Sequence, residues 1–140
     1  MEFTRQFDSK KSFSGNVVYN NAGTQTLRCT TAYDFGAKVQ INGNDIYDNQ
    51  ASDVSAVGGG VVVAIDGYGA ELHNNFLINP LTTYELAVLS AYEANKVVNA
   101  TRNWWGTSLE ATIKNKIYDR SDVPSKVFIR NKQMNYGSKF

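Results

Sequence analysis

Four short segments constrain this chain more than anything else in it. "KSFSGNVVYNN" (Lys11 to Asn21), "VQINGNDIYDN" (Val39 to Asn49), "AELHNNFLINP" (Ala70 to Pro80) and "VNATRNWWG" (Val98 to Gly106) align on Asn16, Asn44, Asn75 and Asn103, at spacings of 28, 31 and 28 residues. Three positions before each Asn stand Phe13, Ile41, Leu72 and Ala100; two positions after stand Val18, Ile46, Leu77 and Trp105. A repeat of this length is one supersecondary unit that must stack on its neighbours to bury its apolar face.

Between the Asn segments run "TLRCTT", "GVVVAI" and "ELAVLS". Leu27, Cys29 and Thr31, then Val61, Val63 and Ile65, then Leu86 and Val88, alternate with the two-residue period of a strand. "AYDFG" and "AYEAN" follow at matching distances, with "IDGYG" as the looser middle counterpart. The extra residues of the middle repeat fall in "QASDVSAVGGG". Short strands at this period, with no helical pattern inside it, predict an all-β solenoid: a right-handed parallel β-helix of about three to four coils with a C-terminal capping α-helix. A leucine-rich repeat would need an L-x-x-L-x-L signature, which is absent. Antiparallel sandwich turns would not explain the long-range matches.

The chain has 15 Asn, dispersed among Val, Ile, Tyr and Gly. Asn tolerates the left-handed conformation of tight bends, and its amide can bridge to the next layer. Asn16, Asn44, Asn75 and Asn103 are therefore expected to form a hydrogen-bonded ladder.

After Trp105 the character changes. Thr107 and Glu110 have capping-box spacing. Leu109, Ile113 and Ile117 follow at intervals of four, which predicts an amphipathic helix from Thr107 to Arg120 lying over the end of the core. One ring of Trp104 and Trp105 would plug the last coil, and Gly106 would turn the chain into the helix. "VPSKVFIR" (Val123 to Arg130) reads as a strand. The expected organisation is an N-terminal tail or cap over 1–10, coils over 11–106, and a capping helix, strand and tail over 107–140. No comparable helix covers the first coil, so it is capped by "MEFTRQF" or by another chain.

The bulk properties limit the function classes. Lys and Arg number 14 against 13 Asp and Glu, a net charge of +1, so no global field attracts nucleic acid or an anionic membrane. No apolar run reaches the roughly 18 residues that span a bilayer, and no membrane insertion is expected of this segment. The opening "MEFTRQFDSKK" lacks a hydrophobic signal region, which leaves a cytosolic protein or an excised piece of a longer one. The single Cys, Cys29, reads as a buried core thiol.

The acids that could carry chemistry are Asp34, Asp45, Asp48, Asp53, Asp66 and Glu93. No repeat carries a paired-carboxylate motif of the kind a glycosidase needs, and no catalytic residue is assigned. Asp45 and Asp48 flank a predicted turn, where Asp is expected on structural grounds. His73, the only His, lies at a predicted turn without Cys partners, so no metal site is assigned; it reads as a solvated turn residue. No phosphate-binding glycine loop is present, and no cofactor is expected. Asn99-Ala100-Thr101 is a possible glycosylation sequon.

"VNATRNWWGTSLEATIKNKIYDRSD" resembles the closing signature of pectin-lyase-like β-helix repeats in animal adhesion proteins of the bark beetle (anakonda) type: an N-W/Y-W-G turn, a short helix and an acid-ended segment. The resemblance covers about 25 residues and is generic over the preceding coils. It implies a β-helix in an extracellular or cell-surface setting, as part of a larger protein, without implying an activity. The functional expectation is a non-catalytic binding or structural module with a protein or glycan partner on its sheet faces. Tyr19 and Tyr47, at matching positions, are the candidate contact residues. Homo-oligomers through the uncapped end form a further expectation. The alternative is a carbohydrate-active lyase or hydrolase.

Overall fold

The computed structural model describes residues 2–4, 11–30, 39–52, 58–66, 70–89, 97–119 and 128–130. A first strand, β1 (Glu2–Thr4), precedes the repeats. The first unit then gives β2 (Ser12–Ser14), β3 (Val17–Tyr19), β4 (Ala22–Gly23) and β5 (Gln25–Thr30). The second gives β6 (Val39–Asn42), β7 (Asp45–Tyr47), β8 (Gln50–Ala51) and β9 (Val61–Asp66). The third gives β10 (Ala70–His73), β11 (Phe76–Ile78) and β12 (Tyr84–Val88). The last contains β13 (Val97–Asn99), a short helix α1 (Glu110–Asn115) and β14 (Ile117–Tyr118), followed by β15 (Phe128–Arg130).

All the paired strands run parallel, and each pairs with its counterpart in the next unit. One open sheet has the order β1-β5-β9-β12-β14, a second β15-β13-β10-β6-β2, a third β11-β7-β3, and a fourth β4-β8. The register follows the sequence alignment: Phe13 faces Ile41 and Ile41 faces Leu72, while Val18 faces Ile46 and Ile46 faces Leu77. Leu27, Val63, Leu86 and Ile117 make another such column. Because the side-chain period of a strand is two, in-register pairing keeps every column on one face. The columns merge into one apolar interior with Trp105 and Ile113 at its far end. A smaller cluster of Val61, Ala64 and Ala87 lies apart from it, packed by Tyr84, Leu89 and Tyr118. Cys29 is part of the main interior, and burial pushes its thiol up to about 12, which keeps it protonated and unreactive.

The turns between the second and third sheets share one device. The residue before each ladder Asn takes the left-handed conformation: Gly15 and Gly43 at φ 67°, Asn74 at 57° and Arg102 at 60°. The bend was expected to rest on the ladder Asn itself; it falls one residue earlier, and the ladder Asn is left free to use its amide.

Two expectations at the ends need correction. The helix covers six residues, Glu110–Asn115, not Thr107–Arg120. Ile117 belongs to β14, where it pairs with Leu86, and Leu109 is 66% exposed instead of lying on the core. The spacing of four read as a helical stripe, but backbone pairing to β12 captures the chain before a further turn can form. The segments expected as an N-terminal tail or cap and a C-terminal extension also contribute β1, β14 and β15 to the repeat sheets.

Candidate functional site

The predicted Asn residues form a continuous relay. Asn44 Oδ1 accepts both the Asn16 N–H and the Asn16 Nδ2, each at 3.0 Å. Asn75 Oδ1 accepts the same pair from Asn44 at 3.0 and 2.9 Å, and Asn103 Oδ1 accepts them from Asn75 at 3.0 and 2.9 Å. Each buried amide also donates to the backbone of the unit before: Asn44 to Phe13 O, Asn75 to Ile41 O and Asn103 to Leu72 O. Asn44, Asn75 and Asn103 are almost fully buried. Buried polar groups carry a desolvation cost of roughly 1–3 kcal/mol each when unpaired, so satisfying both ends of every amide makes this arrangement stable inside the protein.

A second relay was not anticipated. Asn21 donates from its N–H and Nδ2 to Asn49 Oδ1 at 3.1 and 2.9 Å, and Asn49 donates the same pair to Asn79 Oδ1 at 2.8 and 2.9 Å. It then ends on an acid. Glu85 Oε1 accepts the Asn79 N–H and Oε2 accepts Asn79 Nδ2, both at 2.6 Å. Glu85 is 2% exposed. Burial raises its carboxyl above the usual value of 4.5, against the opposing pull of the Asn79 side chain, the Asn79 N–H and the Lys116 charge. Nearby, Thr82 does the work of a missing strand. Its hydroxyl donates to Asn49 O at 2.9 Å and accepts the Ala51 N–H at 3.2 Å, satisfying backbone groups next to β8.

The outer side of the third sheet carries two columns. Val17, Asp45, Phe76 and Trp104 are in register in one, the last through an isolated bridge to Phe76. Tyr19, Tyr47 and Ile78 make the other. Val17 is 59% and Tyr19 54% exposed; the rest are half-buried. Tyr19 and Tyr47 are brought together, with centroids 5.5 Å apart and planes 9° from parallel. They face each other along the stacking direction, so the ring faces between them are consumed.

The outer side of the second sheet is polar. His73 lies on strand β10, and its side chain is 13% exposed, which corrects its reading as a solvated turn residue. Its Nδ1 lies 3.2 Å from Thr101 Oγ1 and 3.1 Å from Thr101 O, and its Nε2 lies 3.4 Å from Glu71 Oε2. Glu71 Oε2 also accepts Gln40 Nε2 at 3.3 Å. Asn99 of the sequon is half-buried on β13, and its Oδ1 is buried without a partner.

At the far end Trp105 is 4% exposed and fills the interior, while Trp104 stays on the outer face. The Trp105 indole N–H is buried without a partner. Gly106 turns at φ 78°, and a Cβ there would sit 3.3 Å from the Ile78 side chain. The expected capping box does not form. Thr107 Oγ1 accepts the Leu109 N–H at 3.1 Å, the helix opens at Leu109 without a side-chain cap, and Glu110 instead pairs with Lys114 at 3.1 Å.

The candidate acids are dispersed. Asp45 stands on the outer face, Asp48 is exposed at a left-handed turn with φ 53°, and Asp66 pairs with Arg28 at 2.8 Å. Asp34, Asp53 and Glu93 lie outside the described residues. Among the described residues no group of three or more His, Cys, Asp or Glu could hold a metal ion, and no helix is long and apolar enough to cross a membrane. Compared with protein families, curated proteins and solved structures, the chain matches none of them.

Proposed function

We propose that the stacked units form a right-handed parallel β-helix that serves as a non-catalytic binding module of an extracellular or cell-surface protein. Its partner, a protein or a glycan, lies on the outer face of the third sheet, and its upstream end is an edge for self-association. The handedness follows from a general rule: crossovers between parallel strands of one sheet are right-handed in about 98% of cases. The resemblance of the closing segment to adhesion-protein repeats supports the setting.

One observation carries the binding face. Val17, Tyr19, Tyr47, Phe76, Ile78 and Trp104 lie together outside an interior that is already filled. Contiguous apolar patches of this kind mark binding surfaces. The Tyr stack changes how a sugar would be held. Tyr19 and Tyr47 have given up the ring faces between them, so they would meet a ligand across the sheet through hydrogen bonds of their hydroxyls more than as a flat stacking platform.

Binding to a broad glycan array, with and without Ca²⁺, tests this reading. Saturable binding that leaves the glycan intact and weakens in Trp104→Ser and Tyr47→Phe is expected, with thermal melts showing that both variants fold. Glycan consumption would instead establish the enzymatic alternative. If the array is silent, a protein partner whose binding ignores the Trp104→Ser change would remove the outer face from consideration.

A further inference from the structure

Two adjacent residues at the bend of the second unit carry a chemistry that the relays do not use. Of the 15 Asn in the chain, only Asn42 is followed by Gly. We infer that Asn42 is a site of spontaneous covalent modification, losing its side-chain amide to become aspartate and isoaspartate, and that the contact between the second and third units sets the rate.

The reaction needs only the chain and water. The Gly43 nitrogen, after giving its proton to solvent, attacks Asn42 Cγ; the Cγ–Nδ2 bond breaks and Nδ2 leaves as ammonia. Glycine has no Cβ to hinder the approach, and asparagine is among the thermally labile side chains. The product is a cyclic imide, which water then opens. Cleavage between the ring nitrogen and Cγ leaves aspartate. Cleavage between that nitrogen and the Asn42 main-chain carbonyl carbon leaves isoaspartate, whose backbone runs through Cβ and Cγ. Nothing is oxidised or reduced.

The folded stack holds this reaction off through the peptide unit that must turn. Ring closure brings Asn42 Cβ and the Gly43 nitrogen to eclipse about the Cα–C bond, whereas extended backbone sets them far apart. Asn42 closes β6 in that extended conformation. The Asn42–Gly43 peptide is a rigid plane, and both of its polar atoms are taken. Asn42 O accepts the Gly15 N–H at 3.3 Å, and the Gly43 N–H donates to His73 O at 3.1 Å. Asn42 Oδ1 accepts Asn74 Nδ2 at 3.1 Å, which holds the side-chain amide toward the third unit. Asn42 and Gly43 are exposed, so solvent base is at hand and the opening of these contacts is the step that remains. The equivalent pairs are Ser14-Gly15, His73-Asn74 and Thr101-Arg102; none combines Asn with Gly, so the second unit alone carries the site.

Modification is one-way for the stack. Ile41 and Asn44 have the same separation as Leu72 and Asn75, and both are matched across the units: Ile41 faces Leu72, and Asn44 donates to Asn75 Oδ1. Isoaspartate adds a methylene to the main chain between Ile41 and Asn44, so one match is lost when the other is kept. Aspartate leaves the main chain unaltered, and its carboxylate still accepts Asn74 Nδ2. The site is independent of the proposed ligand on the outer face.

The test is to age the full chain at mildly alkaline pH, in buffer and in concentrated urea, with peptide mapping that separates the asparaginyl, aspartyl and isoaspartyl forms. Asn42 should be the first Asn converted in urea, and its half-life should be roughly tenfold or more longer in buffer, because closure waits for local opening. Asn75→Ala, which loosens the second unit from the third, should shorten the half-life in buffer. Should that variant fail to fold, the unaltered chain in urea below its unfolding transition gives the same reading. The isolated isoaspartyl form should exchange the Asn44 N–H faster than the parent, while Asn42→Asp should exchange it like the parent. Equal rates in buffer and concentrated urea, earlier conversion of another Asn in urea, a half-life indifferent to loosening, or an isoaspartyl form with unchanged Asn44 exchange would each overturn the inference.

Discussion

The two Asn relays run side by side through the same units, yet they end differently. The first passes from Asn16 to Asn103 and is amide throughout. The second passes from Asn21 to Asn79 and ends on the buried carboxylate of Glu85. An amide terminus is indifferent to pH. A buried carboxylate meets the two donors with one oxygen each, where an amide meets both with a single oxygen, but it carries an ionisable group into the interior. The comparison teaches that one scaffold rule, a double donor meeting a single acceptor group, can be closed by either chemistry, and that only one closure makes stability depend on pH.

The largest effect should come from breaking a relay in its middle. Asn75→Ala leaves the Asn44 N–H and amide, the Ile41 carbonyl and the Asn103 amide oxygen short of partners, and Asn49→Ala does the equivalent in the second relay. Each should cost roughly 4 kcal/mol or more in urea unfolding, at about 1–3 kcal/mol for a buried group left without its partner. Asn16→Ala and Asn21→Ala, at the open end, should cost less, about 1 kcal/mol, since each takes one donor from an amide oxygen that still accepts the backbone N–H of the same residue. Equal costs at the middle and the end would dissolve the relay picture.

The next effect separates the two termini. Near pH 4, where the raised Glu85 carboxyl is protonated, Glu85→Gln exchanges one neutral hydrogen-bearing group for another and should cost little, under about 1 kcal/mol. The pH dependence has a fixed sign. The Glu85 carboxyl is raised in the folded state, so its contribution is fully present below the unfolded value and is lost as pH rises through the folded one. Unfolding free energy should therefore fall from about pH 4.5 upward, with a slope of up to about 1.4 kcal/mol per pH unit from this group, relative to a Glu85→Gln protein. A stability difference that is flat with pH would mean that the Lys116 charge and the Asn79 contacts offset burial completely.

The smallest effects lie in the left-handed turns. Arg102→Gly should stabilise by about 1 kcal/mol by relieving a non-glycine residue at φ 60°. Gly43→Ala should destabilise by a similar amount, about 1 kcal/mol, from backbone strain alone, because nothing lies within 4 Å of a Cβ there. Thermal melts of the two variants should shift in opposite directions.

The first relay was legible because its Asn residues keep equal neighbours in all four segments. The second was hidden by one missing residue. Asn20 and Asp48 take the left-handed conformation before Asn21 and Asn49, whereas Asn79 follows Ile78 of β11 directly. The register slips by one, and a Glu six positions on replaces the fourth Asn. With a one-residue deletion at the bend, Asn79 aligns with Asn21 and Asn49. Nothing periodic marks Glu85, whose role depends on the chain folding back from the Thr82 turn. The inward and outward assignments of Trp105 and Trp104 follow from strand alternation. The helix was overextended because Leu109, Ile113 and Ile117 suit a helical stripe as well as a turn, a helix and a strand. The stacking of Tyr19 on Tyr47 follows from their matching positions, but the loss of their shared faces is a matter of ring geometry.

Native-state amide exchange, read residue by residue, tests the central claim most directly. Buried inter-unit relays predict that the backbone N–H groups of Asn44, Asn49, Asn75 and Asn79 exchange near the global unfolding rate, while those of Asn16 and Asn21 exchange much faster. Rapid exchange at Asn44 and Asn75, comparable to that at Asn16, would contradict the account of stacked units tied together through their asparagines.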